Sequence, residues 1–121
     1  MKIETTILKN LLQNEDYARK VLPFLNDEYF TENSDKIIYN QINNFILKYN
    51  SLPNKEALNI ELSEAKITEE DFKESVNLIN EIGKDDQEFS DLSWLLDTTE
   101  KFCQDKAIYN AVVESISILD N

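Results

Sequence analysis

Two pairs of acidic residues carry the most obvious chemistry in this chain. Glu61 and Glu64 stand three residues apart, and so do Glu88 and Asp91. Four carboxylates converging in a helical core could hold Mg²⁺, and the ion could orient a water on a phosphate. The spacing alone says little, because 24 acids among 121 residues produce such pairs by chance. Glu64 also falls where a helix should end, and Glu88 falls in a polar linker. The one thiol, Cys103, lies in an apolar helical stretch, where a buried inert side chain is expected rather than a nucleophile.

What is missing narrows the chemistry further. The chain has no histidine and a single glycine, Gly83. A phosphate-cradling loop needs at least two glycines close together. Without histidine the commonest general base and metal ligand is absent, and so is the Glu-x-x-His pair of a di-iron bundle. No catalytic, cofactor-binding or metal-binding residue is therefore assigned. The net charge of −12, with Arg19-Lys20 the only adjacent basic pair, disfavours direct DNA or RNA binding, which draws on Lys and Arg. An acidic field suits solubility or a basic protein partner. One cysteine allows no internal disulfide, which fits a reducing cytosol. No apolar run reaches membrane-spanning length and the N-terminus lacks a signal-peptide core, so a cytoplasmic location is expected.

The elements that would position these residues are helical. At 41% hydrophobic residues the chain can build one core, as a single domain of common size. Ile3, Ile7, Leu8, Leu11 and Leu12 recur at helical steps. Asn14 can end that helix, and Glu15-Asp16 can begin a short one whose inner face is Ala18, Val21 and Leu22, stopping before Pro23. Asp27 to Phe30 reads as an aromatic turn. Ser34 or Asp35 is expected to cap the next helix, with Ile38, Ile42, Phe45, Ile46 and Tyr49 as its apolar stripe. After the Asn50-Ser51-Leu52-Pro53 break, Asn54 should cap a short helix through Leu62. Thr68 opens another, with Phe72, Val76, Ile79 and Ile82 facing inward and Gly83 at its C-terminal cap. A polar linker, Lys84 to Glu88, follows. A last helix from Ser90 or Asp91 carries Leu92, Leu95, Leu96, Phe102 and Cys103 on one broad face. Phe45, Tyr49, Phe72, Phe102 and Trp94 are expected in the core rather than as a stacking platform for bases.

The order of these elements resembles the N-terminal domain of hexameric replicative DNA helicases of the DnaB type, in particular the T4-type phage branch. The resemblance rests on the first helix (Ile3 to Leu12), the acidic-aromatic turn Asp27-Glu28-Tyr29-Phe30 before Ile37-Ile38-Tyr39, and the break Tyr49-Asn50-Ser51-Leu52-Pro53 before Ala57-Leu58. Ser93-Trp94-Leu95 and Thr99-Glu100-Lys101-Phe102 then open the late long helix. It implies an all-α orthogonal bundle of about six helices. Residues 1–89 would form the globular part and 90–121 the first arm of a helical hairpin, with the ATPase domain absent. It further implies a collar that joins helicase subunits and docks primase in the infected host's cytoplasm. ATP, Mg²⁺ and DNA would be handled only by the missing motor domain. Two other readings stay open: an acidic adaptor or DNA mimic, and a metal-dependent nucleotide pyrophosphatase, whose small acidic all-α members have similar paired carboxylates.

One stretch exceeds the needs of a core. After Ala107 the apolar positions spread around the helix axis, and a helix apolar on several sides must be covered on several sides. Tyr109, Val112, Val113, Ile116 and Leu119 are the expected contact residues for a second copy or for primase.

Overall fold

A computed structural model describes residues 2–84 and 91–119. Six α-helices follow one another: α1 (Ile3–Gln13), α2 (Glu15–Val21), α3 (Asn33–Tyr49), α4 (Lys55–Ser63), α5 (Glu69–Ile82) and α6 (Leu92–Leu119). Two short 3₁₀ turns, Leu22–Phe24 and Asp27–Tyr29, separate α2 from α3. The described residues contain no strand, so the expected all-α bundle with its longest helix last is the observed architecture. The boundary expected between 89 and 90 lies outside the described residues.

The breaks fall where local chemistry puts them. The Asn14 side chain accepts the Tyr17 N–H at 3.1 Å, so one residue ends α1 and caps α2. Asn54 caps α4 by accepting the Ala57 N–H at 2.7 Å, and Thr68 caps α5 by accepting that of Asp71 at 3.1 Å. Asp91 starts α6, its carboxylate accepting the Ser93 N–H at 3.1 Å; Ser90 lies outside the described residues. Asn50 closes α3 in the left-handed region at φ 53°, which asparagine tolerates better than most residues. Gly83 ends α5 at φ −85°, so its role is one of space. A Cβ there would meet the Ile79 carbonyl oxygen at 2.9 Å and Lys55 Cδ at 3.1 Å.

Helices α1, α3, α4 and α5 pack on one another, with α2 against α1. Ile7, Leu8, Leu11, Ile38, Ile42, Leu58, Leu62, Ile79 and Ile82 make their shared core. Gln13 ties two helix ends together: its amide donates to the Ile82 carbonyl at 2.8 Å and the Lys84 carbonyl at 3.1 Å, satisfying acceptors left open at the end of α5. Helix α6 meets this body mainly through α2 and the Asp27–Tyr29 turn. Phe30 is the hinge pin of that contact, stacked on Tyr39 at 5.4 Å and tilted against Phe102 at 5.9 Å.

Four expectations are corrected. Neither Ser34 nor Asp35 caps α3; the helix begins at Asn33 after Glu32, with no side-chain cap, and both residues are buried in its first turn. Trp94 is not core but 52% exposed, because Leu95 one position on takes the inward direction of α6. Phe72 and Tyr49 are likewise exposed. Tyr49 sits in the last turn of α3, beyond the packing neighbours, where it leans on the half-buried Phe45 at 4.7 Å.

A buried hydroxyl pair joins α2 to α6. Thr99 Oγ1 donates to the Leu95 carbonyl at 2.7 Å, which leaves it to accept from the Tyr17 hydroxyl at 2.6 Å. Removing the donor leaves Thr99 satisfied, so Tyr17→Phe is expected to cost about 1 kcal/mol. Thr99→Val strands the Tyr17 hydroxyl in the core and should cost more, about 2 kcal/mol. Urea unfolding of the two variants checks the order.

Candidate functional site

Helix α6 has 28 residues, or about 42 Å at 1.5 Å per residue. Its inner stripe begins with Leu95, Thr99, Phe102 and Cys103, all buried. One turn further on this stripe turns polar at Lys106 and Asn110. The Asn110 amide donates to the Glu28 carbonyl at 3.2 Å, and every described residue from 111 to 118 is exposed. The apolar positions do not stop there. They shift to a neighbouring face, where Tyr109, Val112, Val113 and Ile116 recur at i, i+3, i+4 and i+7 and are 63%, 52%, 47% and 54% exposed. Ile108 and Ile118 are exposed as well. Four of the five expected contact residues thus form one uncovered stripe; the fifth, Leu119, is the last residue of α6, and its side chain lies outside the described residues. Lys106 borders the stripe, its ammonium 5.9 Å from the Tyr109 ring and 6.0 Å from that of Phe102.

The paired carboxylates do not make a centre. Glu61 is half-buried, Glu64 ends α4 exposed, and Asp91 is exposed at the start of α6; Glu88 lies outside the described residues. Among the described residues no group of three or more acids or cysteines could hold a metal ion. Cys103 is buried, and burial pushes its thiol up to about 11, so at neutral pH it stays protonated and a poor nucleophile. Among the described residues no helix is long and apolar enough to cross a membrane.

A second feature was not legible as a site. Asp35, 7% exposed, lines a polar recess of about 400 Å³ with Lys2, Glu32, Glu74 and Glu81. Burial, then the charges of Glu32 and Glu4, push its carboxyl from an ordinary 3.8 up to about 6, while Lys2 pulls it down and Glu81 adds to the rise. In sequence Asp35 looks like a cap because it precedes an apolar stripe. It is three residues before Ile38 and seven before Ile42, so it occupies the buried face itself. That spacing was the available signal.

Comparison by sequence relates this helical domain to the replicative DNA helicases. Over 115 residues, 95% of its length, the chain is 32% identical to the DnaB-like replicative helicase of Enterobacteria phage T4. That likeness bears out the resemblance to the T4-type branch read from the residues. The chain spans about a quarter of the relative, 24% of its length. No family model matches the chain.

The buried carboxylate gives the fold a pH dependence with a definite sign. The folded value of Asp35, about 6, lies above the ordinary 3.8, so folding binds a proton between about pH 4 and pH 6, and stability falls as pH rises through that window. Asp35→Asn removes the ionisation. The variant is expected to gain about 1 kcal/mol over the parent at pH 7.5, less than the full shift because solvent screens a carboxyl open to the recess. The gain should vanish below pH 4. Thermal unfolding at the two pH values checks it.

Proposed function

We propose that this chain is the N-terminal collar domain of a phage replicative helicase, a scaffold that joins subunits of the ring and docks primase. The observation that carries the reading is the uncovered α6 stripe in a chain 32% identical to a replicative helicase. In this proposal the domain performs no chemistry. ATP and Mg²⁺ act in the motor domain of the parent chain, which also grips DNA, and the setting is the cytoplasm of the infected cell. Helix α6 serves as the first arm of a hairpin whose apolar flank meets its counterpart on a neighbouring subunit. Holding primase on such a collar raises its local concentration beside the emerging strand without any change in the primase itself.

Magnitudes limit what the stripe can do by itself. Fully burying a large apolar side chain is worth about 1.5–3 kcal/mol. Four that are already half-covered return about 4 kcal/mol on this scale, which only matches the low end of the roughly 4–15 kcal/mol cost of association. The stripe by itself therefore supports a weak contact, and a lasting ring draws on further surface. Val113→Asp places a charge at its centre on an exposed position, so folding stability should move by no more than about 0.5 kcal/mol.

Sedimentation of the chain up to millimolar concentration tests the reading. Reversible association, abolished by Val113→Asp with the helical circular-dichroism signal intact, is expected. So is retention of the same replication system's primase on the immobilised domain. A strict monomer that ignores that primase would refute the collar. Competition with DNA for a basic enzyme would instead favour the acidic-adaptor reading, which the net charge of −12 makes the second choice.

A further inference from the structure

The recess around Asp35 is independent of the α6 stripe and is built differently. Three elements surround it: the start of α1 with Lys2 and Thr5, the entry to α3 with Glu32, Ser34 and Asp35, and the outer face of α5 with Glu74 and Glu81. Four carboxylates and one ammonium line it. The ammonium is already committed, since Lys2 Nζ donates to Glu32 Oε1 at 2.9 Å. Asp35 is more than nine-tenths buried, and among the described residues its carboxylate accepts no hydrogen bond. Its oxygens are not enclosed like the unpartnered Ser75 hydroxyl; they open onto the recess, where a donor brought from outside can reach them.

We propose that this recess binds the guanidinium of an arginine presented by a partner protein. The carboxylates ring the space instead of converging on a point, and among the described residues no group of three acids could hold a metal ion. A ring of separated acceptors fits a planar cation with five forked N–H donors better than a compact ion. Charge complementarity points the same way, with net charge −12 on the chain drawing a basic partner. A second copy offers one arginine, Arg19, whose guanidinium already bonds Glu15 at 2.7 Å and Asn50 at 3.3 Å, so the occupant is a different, basic protein with an uncommitted arginine. Glu4, which also acts on Asp35, strengthens the field from α1.

Titration of the ¹⁵N-labelled chain with N-acetyl-argininamide at pH 7 reads the site directly. Shifts confined to the amides of Thr5, Ser34, Asp35 and Leu78 are expected. Asp35→Asn should weaken binding about tenfold, the loss of one charge-assisted contact. The exposed pair Glu74→Gln/Glu81→Gln should weaken it several-fold without touching the core, which keeps the test valid if the Asp35 variant misfolds. Binding should also weaken from pH 7 to pH 5, as the Asp35 carboxyl takes up its proton. The proposal is overturned if these amides do not respond, if both variants bind as the parent does, or if Mg²⁺ or N-acetyl-lysinamide produces the same shifts at lower concentration.

Discussion

Two hydroxyls 2.6 Å apart in the core seat α6 on the rest of this domain. The Tyr17–Thr99 contact fixes α6 to α2, and Phe30 against Phe102 fixes it to the turn before α3. Both attachments lie in the N-terminal half of α6. Beyond the Asn110 contact with the Glu28 carbonyl every described residue from 111 to 118 is exposed. A helix anchored over part of its length has two faces with different tasks. The first half completes the core of its own chain. The second half is stiffened by the first, because helix propagation from a formed turn costs little while nucleation costs much. An exposed apolar segment is thereby presented as a rigid helix and not as a loose tail, which lowers the ordering cost of any contact it makes.

How that segment differs from an ordinary surface is a matter of periodicity. Single exposed apolar side chains are normal on any protein. Tyr109, Val112, Val113 and Ile116 are not scattered; they repeat at the steps that build one helical face. The core stripe ahead of them ends in Lys106 and Asn110, so the apolar run does not continue the core. It starts a new face, at an angle to the old one, where the chain's own packing stops. Contiguous apolar area of this kind marks interaction surfaces.

Much of this was readable in the sequence, and the misses share a cause. Asn54 and Thr68 read as caps because their side-chain oxygens lie just ahead of apolar-periodic runs, and each accepts the expected N–H; Asn14 reads only as the end of α1, yet it also caps α2. The open stripe was readable because an excess of apolar positions is a property of spacing alone. In sequence the buried Tyr17 is hidden beside the apolar Ala18, and Trp94 reads as core although its neighbour Leu95 takes that direction. Large amphipathic rings fit either side of a boundary, and one residue of helical rotation, 100° in an ideal helix, decides between them. Asp35 misleads for a related reason. Its type signals a cap, its register signals the core, and register prevailed because Ile38 and Ile42 fix the rotation of α3.

The two surfaces differ in what would weaken them, and that difference makes them separable in one molecule. Apolar burial along α6 is not screened by salt and is strengthened by kosmotropic ions. Attraction into the Asp35 recess is electrostatic, though its inner carboxylate is partly shielded from the Debye screening that acts on exposed charges. On the two proposals, raising ionic strength would leave a contact through α6 intact and erode the outer contribution of Glu74 and Glu81 before that of Asp35. A partner held by both would lose its orientation over the recess while keeping its grip on the helix. A domain with one apolar and one acidic handle can thus hold a neighbour by the first and set its orientation by the second, because only the charged contact requires a particular group at a particular place.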